Sequence, residues 1–418
     1  MSLGRHSVVN LVGAAVPLLV SLPAVGLLAR VLDAERFALV LLAWAGVGFA
    51  GVLDLGLSRA MVRQLALLRE QPTAAADALR SAVLTVTALG AVAAAGVVLL
   101  RHPLLDALSV GTALRDDAAT GIALAAASIP LLLPLLVLQS HWDGVEDFIE
   151  GNLQRAISGS LVPLLTLAGA AWQHSFSGAM LGLLAARAIA LALALGRQGM
   201  ATRLRRGRID GARLRALLRD GGWITVSNTV SPVMNTLDRY LLGFARSAGE
   251  VAFYAAPSDA ANKLLVVPVA VTRGLFPALS READAQSRQK LVAQAHRLVA
   301  LYCLPLAAVG SLAAAPLLAL WLGEAYAAPA TPVLQILMVG FLLGAFAQVP
   351  FTEVQARGRA DLSARLHLLE LGPFLGAAWW LSREHGAPGA ALAWSLRNAV
   401  DLLLHLRAAW SLRQGDRR

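Results

Sequence analysis

Stretches of about 20 mostly apolar residues, separated by short polar connections, fill this chain from Val8 to its end, and a helix of about 20 residues is the length that crosses a bilayer. In lipid, every amide and carbonyl of such a segment must be satisfied within the segment or by neighbouring protein, which leaves helices as the natural reading. The chain is therefore expected to be an all-α polytopic membrane protein. Composition agrees, because 57% of its 418 residues are hydrophobic and only 15% are charged, too apolar for a soluble surface of this size.

Apolar runs read against charged, glycine and proline boundaries predict about twelve spans, at 8–29, 37–57, 81–100, 121–140, 156–172, 178–196, 222–244, 251–275, 298–318, 332–353, 364–382 and 388–408. The first is too long for the apolar core of a cleavable signal and lacks a small-residue cleavage site, so it reads as a span. Pro17, Pro23, Pro130 and Pro134 fall inside spans and are expected to kink them.

Lysine and arginine concentrate in cytoplasmic loops. Assigned to alternate sides, the loops carry 25 Lys and Arg on one side and six on the other, which predicts that both termini face the cytoplasm. A miscounted span would scramble this asymmetry downstream of the error. The net charge of +10 belongs to these loops. No basic face interleaved with aromatics is visible, which argues against nucleic acid as a partner.

A basic connection at 201–220 falls midway and divides the chain into a six-helix lobe at 1–200 and a second at 221–418. An even number of spans per lobe gives both the same orientation, so an internal duplication would be a parallel repeat. The turn LDAERFALV (32–40) resembles SAGEVAFYA (247–255) in position and pattern.

The outward connections are too short for a folded catalytic region. Asp33 with Glu35, and Asp116 with Asp117, are the paired acids in the first two outer turns; they read as turn charges offset by Arg30, Arg36 or Arg115. The eight histidines lie mostly at loops or span ends without metal-ligand spacing, and the single cysteine, Cys303, allows no disulfide within the chain. No catalytic residue, metal or cofactor is expected.

Charges inside spans carry the functional information, because an ionisable group in hydrocarbon costs several kcal/mol by insertion scales and is a functional candidate by default. Lys263 lies about 18 Å into the eighth span, at the membrane midplane where transporters bind substrate, with Asp259 one turn earlier as an alternative local partner. Asp238 and Arg239 are adjacent in sequence and point about 100° apart on a helix, so each needs its own partner. Arg239 either faces substrate or snorkels to the outer interface; Asp238 is a candidate coupling or lobe-contact group. Arg397 has Asp401 one turn away as an ion-pair partner, whereas Arg187 has no acid within a turn and is either a structural tether or a substrate contact. Glu370 opens a Glu-Leu-Gly-Pro break and is either a protonatable coupling group or a polar group at a kink. Asp54 and Arg273 lie near cytoplasmic span ends, where coupling or gating at Asp54 competes with plain interfacial anchoring for both.

Four patches carry a family likeness. The segment ARVLDAERFALVLLAWAGVGFAGVLDLGLSRAMVRQLA (29–66) resembles the opening of bacterial oligosaccharide flippases of the Wzx type, in the multidrug/oligosaccharidyl-lipid/polysaccharide exporter superfamily. NTLDRYLLGFARSAGEVAFYAAPSDAANKLLVVPVAVTRGLFPALS (235–280), ELGPFLGAAWWLSREHGAPGAALAWSLRNAVDLLL (370–404) and GVEDFIEGNLQRA (144–156) extend the likeness over most of the chain. Ala38 and Ala252 depart from it, standing where the family often has Gly after the outer turn. The resemblance implies two six-helix lobes in a V around a cavity that opens alternately to each side, lined largely by the first two helices of each lobe. That favours Asp238, Arg239 and Lys263 over Arg187 and Arg397. It also implies a substrate: a polyprenyl-diphosphate-linked oligosaccharide, flipped from the cytoplasmic to the periplasmic leaflet for O-antigen, capsule or exopolysaccharide assembly, with membrane lipids around it and polysaccharide polymerase machinery downstream.

The physics of that substrate is consistent with the residues. A sugar diphosphate cannot cross hydrocarbon unaided, and Arg and Lys suit a diphosphate, the first by bidentate hydrogen bonds and the second as a point charge. Trp44, Trp223, Trp379 and Trp380 could stack on sugars or anchor at the interface. Proton or sodium exchange is the candidate driving force. The alternatives are a drug or cation exporter of the same superfamily, a flippase for the peptidoglycan precursor and, from a different class, a membrane-bound polysaccharide polymerase or ligase.

Overall fold

The structure, a computed structural model, describes residues 3–68, 70–211, 215, 234, 236–282 and 284–415, with backbone alone at 3–15, 66 and 415. Helices make up nearly all of it, and no strand occurs among the described residues. Eight helical segments are long and apolar enough to cross a membrane, from Ala34–Asp54 through Glu324–Ala356. The chain is a multi-pass membrane protein. Eleven of the spans read from the sequence lie on helix; the other, 222–244, lies largely outside the described residues.

Helix starts follow the polar residues between apolar runs. Asp33 accepts the Arg36 amide at 2.8 Å and ion-pairs with its guanidinium, Asp147 accepts the Glu150 amide at 3.1 Å, and Ser175 accepts the Gly178 amide at 3.0 Å. Each side chain satisfies an amide that the first turn leaves without a helical partner. Of the four span prolines, Pro130 lies in the first turn of a new helix, Ile129–Gly144, following a break at Ser128. Pro17 and Pro23 lie inside the continuous helix Leu3–Val31, and Pro134 inside Ile129–Gly144. Leu3–Val31 and Ile129–Gly144 therefore absorb a lost amide donor without ending.

The described chain forms two compact units, Met1–Pro232 and Val233–Arg418. The start of the basic connection is fixed to the first unit: Arg80 donates to the carbonyls of Leu204, Arg205 and Gly207 at 2.9 to 3.2 Å. Most of the remainder of 201–220 lies outside the described residues. Within the first unit the hairpin Phe148–Gln173 and Phe176–Gly196 closes on glycine. A Cβ on Gly182 would stand 1.9 Å from the Leu165 carbonyl oxygen, and one on Gly169 would stand 2.1 Å from that of Gly178. Small residues let membrane helices approach to backbone contact, where dispersion replaces the hydrophobic effect as the driving force.

The two units repeat the same fastenings. Glu35 and Glu250 occupy equivalent positions in the similar turns at 32–40 and 247–255, and each reaches an amide elsewhere in its own unit: Glu35 that of Gly111 at 2.9 Å, Glu250 that of Ala387 at 3.1 Å. The latter contact explains Gly386, whose φ of 61° suits glycine and whose added Cβ would meet the Glu250 carboxylate at 2.8 Å. At the end assigned by charge to the cytoplasm, Arg197 grips Glu150 with two bonds of 2.8 and 2.7 Å. Arg413 grips Glu353 with two bonds of 2.8 and 2.5 Å. In both units a carboxylate at the connection between fourth and fifth spans thus fastens the end of the sixth. These paired contacts are what a parallel duplication would leave behind.

Glu353 is 3% exposed, and removing one partner of a buried pair strands the other charge. Arg413→Ala is expected to destabilise the second unit by about 3 kcal/mol, moderated by the i,i+4 contact from Arg357 to Glu353. Thermal unfolding in detergent reads this directly, and a melting temperature equal to that of the unsubstituted protein would contradict it.

Asp33, Glu35 and Asp117, from the acid pairs in the turns assigned to the outside, have structural roles. Asp117 accepts the Phe176 and Ser177 amides, both at 2.9 Å, and the Ser177 hydroxyl at 2.5 Å, while Arg115 pairs with Asp106. These carboxylates serve as helix-end fasteners, as their placement in turns implies.

Candidate functional site

A cluster of buried and half-buried charges lies inside the second unit, on residues 236–245, the helix Ala248–Leu264 and the closing hairpin Ala360–Gly415. Asp238 is 2% exposed and Arg239 6%. Their side chains diverge as neighbours on a helix must, and each finds a separate partner. The Tyr254 hydroxyl donates to Asp238 at 2.5 Å, and the other Asp238 oxygen accepts the Arg239 amide at 2.7 Å. The Arg239 guanidinium bonds Asp259 at 2.7 Å. Snorkelling to the interface is therefore not how Arg239 is accommodated.

This pair is asymmetric. The Arg239 side chain is 7% exposed and that of Asp259 38%, so the cation is fixed in protein while the anion faces open space. Lys263, one turn beyond Asp259, is half-buried and within the field of the same carboxylate. Asp259 thus stands between two cations.

Deeper in the unit, Arg397 lies over the Phe374 ring at 5.6 Å and within electrostatic reach of Asp401, Glu370, Asp238 and Tyr254. The expected ion pair of Arg397 with Asp401 is not the contact nearest to that carboxylate: His405 Nδ1 is 2.9 Å and His367 Nε2 3.4 Å from Asp401. Glu370 is 5% exposed, and neither of its carboxylate oxygens has a hydrogen-bond partner. A cavity of about 360 Å³ in the hairpin is lined by Glu370, Arg397, Leu369, Phe374, Leu396 and Val400.

The remaining candidates stand apart from this cluster. Asp54 accepts both the amide and the hydroxyl of Ser58 at 3.1 to 3.2 Å, capping the helix Leu57–Leu67 after a left-handed turn at Leu55 and Gly56. Arg187 is in the first unit on Phe176–Gly196, and its Nε is buried without a hydrogen-bond partner. Arg273 is exposed. Trp379 and Trp380 are also exposed, Trp44 is half-buried, and Trp223 lies outside the described residues.

Sequence reasoning missed Tyr254 and the histidines. A tyrosine hydroxyl donor leaves no spacing signal. Asp401 and His405 do leave one, an i,i+4 pair on one helical face, but His367 joins them only through the hairpin.

Residues 4–282 match the family model described as polysaccharide biosynthesis protein. The chain belongs to the polysaccharide biosynthesis protein family. One family relative, named "Putative O-antigen transporter" and from Shigella flexneri, is 31% identical over 408 residues, covering 97% of each chain. Solved structures share the fold of this family member. An inward-facing multidrug resistance MATE transporter of the MOP superfamily superimposes with a TM-score of 0.78 at 15% identity, over 98% of this chain and 99% of the other. The lipid II flippase MurJ in an inward closed conformation gives a TM-score of 0.78 at 10% identity, over 99% of this chain and 90% of the other. The all-α polytopic fold class expected from the sequence is thus the one observed.

Proposed function

We propose that this protein is a flippase that carries a polyprenyl-diphosphate-linked oligosaccharide from the cytoplasmic to the periplasmic leaflet of a bacterial inner membrane. Both termini face the cytoplasm, as the loop arginines require, and the translocated repeat units supply a polysaccharide polymerase. The family and the Shigella flexneri relative support this reading over a drug exporter, since the fold itself is common to both transporter kinds.

The observation that carries it is the asymmetric Arg239–Asp259 pair, with Lys263 beside it. A diphosphate entering from the open side can displace the exposed Asp259 and take its place on a guanidinium that is already desolvated and oriented. Charge-assisted bonds of this kind are about twice as strong as neutral ones. The polyprenyl tail stays in lipid while the head passes. Asp238, held by Tyr254, and Glu370, with two unsatisfied oxygens, are the carboxyl groups suited to coupling with protons or sodium. Arg397, over the Phe374 ring in the same unit, serves as a secondary cation.

Deleting the protein in its host should cause undecaprenyl-linked repeat units to accumulate on the inner leaflet and surface polysaccharide to disappear. Normal surface polymer in the deletion strain, or heightened drug sensitivity without lipid-linked accumulation, would reject the reading.

A further inference from the structure

The closing hairpin gathers three metal-ligating side chains that the flippase reading does not use. His367 comes from its first arm, Asp401 and His405 from its second, and one ligand atom of each lies within 4.8 Å of the other two. His405 is fully buried, while the side chains of His367 and Asp401 are 23% and 15% exposed.

Their polar atoms converge, and Asp401 Oδ1 and His405 Nε2 are buried without an aligned hydrogen bond. Asp401 Oδ1 has an imidazole nitrogen at 2.9 Å and another at 3.4 Å, yet neither ring N–H is aimed at it, so it accepts no aligned hydrogen bond. The His405 Nδ1 lies 3.0 Å from the Asp401 main-chain oxygen. Donation to that carbonyl fixes the tautomer and leaves the lone pair on Nε2, an arrangement typical of a metal-bound histidine. That Nε2 is buried with no partner. One turn along from His367, Glu370 adds two more unsatisfied oxygens within electrostatic reach of all three residues. Phe351 packs on both imidazoles, with ring centroids 5.6 Å from His367 and 5.3 Å from His405.

Buried polar atoms left without partners call for an explanation. We infer that His367, Asp401 and His405 form a site for a divalent transition-metal cation of the Zn²⁺ class. Two imidazoles and a carboxylate suit such an ion, whereas sodium, calcium and magnesium prefer all-oxygen sites. With neutral imidazoles, the carboxylates of Asp401 and Glu370, which also lie in the field of Arg397, meet the charge of the dication. Bridging the two arms, the metal would pin the hairpin at the end assigned to the cytoplasm.

The test uses the full chain, purified in detergent without a histidine tag, stripped with chelator and titrated with Co²⁺. One Co²⁺ per chain should bind, with the visible ligand-field bands of a low-coordinate nitrogen and oxygen site, and Zn²⁺ should displace it. His405→Ala and Asp401→Asn should each weaken binding by at least about 100-fold, a loss at or beyond the upper range seen for disturbed ligand support. His296→Ala, a histidine stacked on Phe346 outside the cluster, should bind as the unsubstituted protein does. If His405→Ala fails to fold, His367→Gln at the more exposed ligand gives the same comparison. Absence of stoichiometric Co²⁺, or equal binding by the ligand variants, overturns the inference and leaves protons on the imidazoles to balance the carboxylates.

Discussion

Arg239→Ala will abolish export of lipid-linked repeat units while the protein still inserts in the membrane. Loss of this guanidinium removes a buried cation paired to a partly exposed carboxylate. Stability should fall less than function, because Asp259 can turn to solvent once its partner is gone. Arg239→Lys should recover little, since an ammonium offers a point charge where a diphosphate needs a planar fork. Lys263→Ala should also impair export, but less completely, because Lys263 adds a point charge beside a site that Arg239 organises. Flipping of a labelled lipid-linked oligosaccharide in proteoliposomes measures both, with a loss of at least about 100-fold expected for Arg239→Ala, equivalent to roughly 3 kcal/mol of a charge-assisted contact. Undiminished flipping by Arg239→Ala would remove the Arg239–Asp259 pair from the substrate path, and undiminished flipping by Lys263→Ala would remove Lys263.

The second large effect concerns coupling. Asp238→Asn preserves shape: its oxygen can still accept the Arg239 amide while its NH2 donates to the Tyr254 oxygen, so both buried contacts survive in neutral form. Arg239 keeps Asp259. What disappears is a titratable carboxyl in the protein interior. Transport under an imposed proton or sodium gradient should drop by about tenfold, roughly 1.4 kcal/mol, whereas exchange without a gradient should change little. A gradient response equal to that of the unsubstituted protein would eliminate Asp238 as a coupling group and leave Glu370 and Asp54 as buried candidates.

Much of this protein is legible along the chain because the bilayer imposes length and charge rules that need no tertiary information. Span length follows from hydrocarbon thickness and rise per residue, so helices stand where the apolar runs put them, including both arms of the closing hairpin. The divergence of Asp238 and Arg239 follows from helical geometry alone, and their separate partners match it. The faint similarity of residues 32–40 to 247–255 becomes concrete in Glu35 and Glu250, which fasten corresponding outer turns.

Partner choice was not legible, since a charge on a helix can reach one turn along its own helix or across to another. Asp401 illustrates this. Its spacing was read toward Arg397, whereas the nearest groups in the structure are His405, one turn along the same helix, and His367 from the other arm. Asp259, spaced for Lys263, gives its direct bond to Arg239 on the preceding helix.

By itself, then, the sequence determined that the chain lives in a membrane and where its described helices run, because these depend on local composition and periodicity. Only the tertiary structure decided which charges neutralise one another, which carboxylates merely cap helices, and that two histidines distant in sequence meet at one aspartate. Those outcomes depend on close packing between helices, where a shift of a few ångströms changes the partner and no residue spacing along the chain encodes it.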